Sequence, residues 1–122
     1  MTDRERRRAI RAPAKLAMEI KLSGVDQARA ESINVSANGV YFSSTSYIAP
    51  LTKLQITLML PEPGEGGSAH GREVVCDGVV VRTDPDVPRP QGEQYEIACY
   101  FTTISAKDQE HLEAYILSQL AF

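Results

Sequence analysis

Apolar and polar residues alternate along most of this chain. In residues 14–22, Ala14, Leu16, Met18, Ile20 and Leu22 share one face, and Lys15, Glu19 and Lys21 take the other. A period of two over nine residues marks a half-buried strand. Ser23–Asp26 reads as a turn, and a second strand follows to about Ile33. Asn34–Gly39 reads as the next turn, because Asn38-Gly39 favours backbone with positive φ. Further strands are predicted over Val40–Ser43, Leu54–Leu60, Glu73–Arg82 and Gln94–Phe101. Gly78 interrupts the fifth as a bulge or a point of close approach. The segments 61–71 and 84–92 are rich in Gly and Pro and read as loops within the domain.

After Phe101 the period lengthens. Leu112, Tyr115, Ile116 and Leu120 recur at three- and four-residue spacing, which predicts an amphipathic helix of about four turns. Ser105 stands at its N-cap, with Asp108 at the third helical position. Six antiparallel strands that avoid exposed edges form a barrel. The expected fold is therefore all-β: a six-stranded antiparallel β-barrel with a C-terminal α-helix and a flexible N-terminal arm. Residues 1–13 are the arm and residues 14–122 the barrel domain.

Charge sharpens this picture through its distribution. The 122 residues carry a net charge of −3, yet the first eleven hold Arg4, Arg6, Arg7, Arg8 and Arg11 against Asp3 and Glu5. That end is +3 and the remainder −6. An acidic body with one basic end is poorly suited to gripping long nucleic acid, but it permits a small local anion site. No apolar run approaches the roughly 20 residues that span a bilayer. The N-terminus has no apolar segment typical of a secretory signal, so the expected location is the cytoplasm. Cys76 and Cys99 lie in apolar strand patterns and read as small buried hydrophobes.

Candidate catalytic groups do not assemble. His70 and His111 have no plausible triad around them, Asp84, Asp86 and Glu93 are scattered loop acids, and Ser36 has no nearby base. The reading is that the protein is not an enzyme. Tyr41, Tyr100 and Tyr115 fit core or wall positions better than stacking platforms.

Two motifs remain. Arg7-Arg8-Ala9-Ile10-Arg11 contains R-x-x-x-R, and Asn34-Val35-Ser36-Ala37-Asn38-Gly39 forms N-x-S-x-x-G, followed by Val40-Tyr41-Phe42. An arginine fork can grip a phosphate through paired, charge-assisted hydrogen bonds, read guanine O6 and N7, or stack on a base. Lysine matches the charge but not the fork, and this cluster contains no lysine.

In their order, separation and placement at strand boundaries, the two motifs resemble the PilZ family of bacterial cyclic di-GMP receptors. Gly78–Arg82, and Ile97–Phe101 with the helix after it, are similar to that family's later strand and ending. The resemblance implies a barrel that binds cyclic di-GMP as its ligand, with no catalytic cofactor. Arg7 and Arg11 match the two motif arginines, and Asn34, Ser36 and Gly39 the fixed positions of the second motif. Arg4 and Arg8 also satisfy R-x-x-x-R, but Arg11 lies just before Pro13 and the first strand, so the 7/11 frame fits better. Arg8 can still contribute, and Arg82, at a strand end, is a secondary ligand candidate or a rim residue. The resemblance further implies that the arm wraps the ligand and relays the signal to a downstream protein effector. The alternative is a protein-interaction adaptor of the same fold with weak or no nucleotide binding.

Overall fold

The computed structural model describes residues 10–22, 27–61, 71–90 and 94–120. Seven strands and one helix occur among them: β1 (Ala12–Pro13), β2 (Ala17–Leu22), β3 (Gln27–Ser36), β4 (Gly39–Ser44), β5 (Lys53–Leu60), β6 (Arg72–Asp84), β7 (Tyr95–Ile104) and α1 (Ala106–Leu120). The six long strands pair antiparallel in the order β3-β2-β5-β6-β7-β4, and β4 returns to β3. The sheet closes on itself, so the long strands leave no free edge. The expected six-stranded barrel with its C-terminal helix is the fold.

The alternation seen in the sequence is the inside–outside alternation of this barrel. Met18, Ile20, Phe42, Ile56, Leu58, Val74, Val80 and Ile97 point inward and are fully or almost fully buried. Between them the strands send charged and polar groups outward, which satisfies each pleat with one apolar face. The helix covers β1, β3 and β6 through Leu112 and Ile116. Burying a side chain of that size contributes roughly 1.5–3 kcal/mol. Ser105 Oγ accepts from the Asp108 amide at 3.1 Å and caps the helix. Asp108 does not return to the cap: its carboxylate accepts the Val75 amide of β6 at 3.2 Å. The acid expected to complete a capping box instead fastens the helix to the barrel.

Three features depart from the sequence reading. The first strand is interrupted: Ala12 and Pro13 pair with Val35 and Asn34, and Ala17–Lys21 pair with Gln27–Glu31. Between them β3 carries a bulge at Ser32/Asn34. The Ser32 hydroxyl donates to the Ala14 carbonyl and accepts the Leu16 amide at 2.8 Å. It thereby supplies partners that the interrupted ladder cannot. Second, β3 continues through Ser36, so the turn between β3 and β4 is only Ala37–Asn38. Third, this turn needs no positive φ. Leu51, at φ 73°, is the one non-glycine residue in the left-handed region among the described residues, and Gly39 is outside that region. Packing explains Gly39 instead, since a Cβ there would overlap the Cys99 carbonyl oxygen of β7. The reading of Gly78 as a bulge and a close approach agrees with the structure. The β6–β7 register shifts at Asp77/Gly78, and a Cβ at Gly78 would lie 2.7 Å from Cys99 Sγ.

The predicted turn at 23–26, most of the arm, and the glycine-rich loop at 62–70 lie outside the described residues. No helix among the described residues is long and apolar enough to cross a membrane.

Candidate functional site

The two sequence motifs meet on the outside of the barrel. Arg11 Nη1 donates to Asn34 Oδ1 at 2.6 Å, across 23 positions of sequence. The pairing of Pro13 with Asn34 makes this contact possible, because it lays the chain after Arg11 directly alongside β3. The bulge at Ser32/Asn34 adds a residue to β3, so that Ile33 and Asn34 both reach the outer side while Ser32 and Val35 remain buried.

From Asn34 a row of neighbours crosses the sheet: Asn34 pairs with Tyr41, Tyr41 with Ala98, and Ala98 with Arg82. A second bulge, between Val80 and Arg82, leaves Val81 and Arg82 both exposed. Arg82 therefore joins the outer face, with its Cζ 5.9 Å from the centre of the Tyr41 ring. The small side chain of Ala98 lets these two groups meet above it. Tyr41 Oη also donates to Glu96 Oε1 at 2.6 Å. That hydrogen bond to a carboxylate is the main cause that raises the Tyr41 pKa, with burial adding to it and Arg82 opposing it. Guanidinium, aromatic ring and carboxylate are thus locked together beside the Arg11–Asn34 pair.

A second row lies two residues further along the strands, ~7 Å away. Glu31 pairs with Ser43, Ser43 with Glu96, and Glu96 with Asp84. The three acids are exposed. The face is therefore electrically divided, with Arg11 and Arg82 on one row and three carboxylates on the next.

Ser36 and Gly39 occupy a different place from Asn34. Ser36 is buried, and its hydroxyl accepts the Asn38 amide at 3.1 Å. Gly39 is packed against β7. Both build the turn that ends the row, while Asn34 presents its amide outward. Arg7 and Arg8 lie outside the described residues. Tyr41 and Glu96 were not among the sequence candidates. The signal was present in the alternation of Val40-Tyr41-Phe42 and Tyr95-Glu96-Ile97, which sends Tyr41 and Glu96 outward from their strands. Their meeting depends on register, which alternation alone does not give.

Among the described residues no group of three or more His, Cys, Asp or Glu could hold a metal ion. A separate cleft of about 400 Å³ runs between the helix and the barrel, lined by Leu60, Pro61, His111, Tyr115 and neighbouring residues. None of the predicted site residues lines it.

The sequence profile of the PilZ domain matches residues 5–118. This chain belongs to the PilZ domain family. PilZ domains are non-catalytic receptor domains, so the outer face is a binding surface rather than an active site. Solved structures agree on the fold. The Bacillus subtilis inhibitor of motility, MotI/DgrA, is 25% identical with a TM-score of 0.74, over 94% of this chain and 51% of that one. The PilZ domain of YcgR from Escherichia coli, solved with c-di-GMP, is 18% identical with a TM-score of 0.64, over 94% of this chain and 92% of that one. MrkH from K. pneumonia, in a c-di-GMP complex, is 18% identical with a TM-score of 0.67, over 93% and 51%. This PilZ domain spans about half the length of MotI/DgrA and MrkH. No curated protein sequence matches it significantly.

Proposed function

We propose that this PilZ domain binds cyclic di-GMP on the divided outer face and relays its binding to a protein partner. The observation that carries the reading is the Arg11–Asn34 hydrogen bond, which joins the two motifs into one site. An arginine held by a neutral amide keeps donors free on its fork for a phosphate. Arg7, four residues before Arg11, adds a second guanidinium, and Arg8 lies between them. Asn34 supplies a polar edge, while Ser36 and Gly39 hold the turn beside it. Arg82 offers a plane for stacking or a fork for guanine. Family membership supports the choice of this ligand, as do the c-di-GMP complexes of YcgR and MrkH. The relay would run through the N-terminal segment, because the residues that grip the ligand also join it to β3 at Ala12–Pro13.

Calorimetric titration of the purified protein with cyclic di-GMP tests the reading and gives stoichiometry. Saturable binding at micromolar ligand is expected. Arg7→Ala and Arg11→Ala should each weaken it at least tenfold, since a charged hydrogen bond contributes about 1.5–3 kcal/mol. Arg4→Ala should change it little. A protein that gives no heat with cyclic di-GMP, yet recovers one partner with or without it, is an adaptor and not a receptor.

A further inference from the structure

We infer that Glu96 is the residue that selects guanine, accepting the donor edge of a base seated over Tyr41 and Arg82. The inference rests on the cyclic di-GMP reading above and goes further, in naming the group that discriminates between bases. A ligand whose phosphate is held at Arg11 and Asn34 reaches Tyr41 by crossing one strand spacing, ~4.8 Å. There it meets an aromatic ring and a guanidinium, two planar groups on which a base can stack. Ala98, between them in the row, raises no obstacle above the sheet.

Glu96 stands at the edge of this platform. Its Oε1 accepts the Tyr41 hydroxyl at 2.6 Å, which fixes the direction of the carboxylate. An ionised carboxylate accepts at both oxygens and donates at neither. Guanine offers two adjacent donors on its Watson–Crick edge, N1–H and the 2-amino group. Adenine offers an acceptor, N1, beside one donor, the 6-amino group. A fixed carboxylate therefore pairs with the first edge and leaves the adenine N1 facing negative charge.

The neighbouring acids strengthen the same polarity. Glu31 and Asp84 share the row of Glu96, so phosphates are repelled from it and drawn to the Arg11 end. The donor edge of the base is the only part of a cyclic purine dinucleotide that this row attracts. The face thus fixes the orientation of the ligand as well as its base.

Glu96→Gln tests the inference. Gln keeps an acceptor for Tyr41 but turns one side of the edge into a donor, a pattern that suits adenine. Wild type and variant are titrated calorimetrically with cyclic di-GMP and cyclic di-AMP, after equal thermal melts establish that both are folded. The expected result is a wild type that prefers cyclic di-GMP and a variant whose affinity for it falls roughly ten- to a hundredfold. Affinity of the variant for cyclic di-AMP should hold or rise. A variant that binds cyclic di-GMP as tightly as wild type overturns the inference and leaves the receptor reading intact, as does an equal loss for both ligands. A wild type that binds neither dinucleotide overturns the receptor reading, and this inference with it.

Discussion

Gly39 has no room for a methyl group, because a Cβ would overlap the Cys99 carbonyl oxygen, an atom of the β7 backbone. Neither strand can yield without breaking the β4–β7 ladder that pairs Gly39 with Tyr100. Gly39→Ala is expected to cost about 1–3 kcal/mol. Its urea midpoint should fall with no change in slope. The two cysteines make a second residue-scale case. Burial pushes the Cys76 and Cys99 thiols up from 9.0 to about 12. A thiol that is harder to ionise folded than unfolded contributes its stability fully below pH 9.0 and loses it as the pH climbs towards about 12. The melting temperature should therefore drop over that window. Iodoacetamide at about pH 8 should label neither cysteine until the protein is unfolded. Prompt labelling of the native protein would show that these thiols are not enclosed. The burial of both cysteines was legible in the alternation. The reason for Gly39 was not: the Asn38-Gly39 pair signals positive φ locally, whereas the constraint comes from a strand 60 residues away in sequence.

At the scale of elements, the helix is held by two kinds of contact. Leu112 and Ile116 supply apolar burial, and Asp108 supplies a hydrogen bond to the Val75 amide. Asp108→Ala is expected to cost about 1 kcal/mol, since the bond is charge-assisted but exposed. It should also speed hydrogen exchange at the Val75 amide. Unchanged exchange there would mean that the apolar contacts alone seat the helix. Strand existence and the helix were readable because their hydrophobic periods are long. The bulges were not, because one extra residue shifts the face without ending the strand. That is why Asn34 reads as the start of a turn in sequence but sits within β3, turned outward by the bulge at Ser32/Asn34. The same mechanism brings Arg82 to the outer face through the bulge after Val80.

On the scale of the whole molecule, the barrel converts scattered residues into two transverse rows of opposite character. Arg11, Asn34, Tyr41 and Arg82 come from four separate segments, and so do Glu31, Ser43, Glu96 and Asp84. The motifs made the first row partly legible, since Arg11, Asn34 and Arg82 stand out as candidates. The acidic row was invisible, because its members share nothing in sequence and meet only through the register of β3, β4, β7 and β6. The most direct test of the account is an amide-resolved NMR titration with cyclic di-GMP. The account predicts that the amides of Arg11, Asn34, Tyr41, Ala98 and Arg82 shift together and saturably, while Leu112 and Ile116 on the helix stay in place. Shifts confined to the helix and its cleft, or none at all, would contradict it.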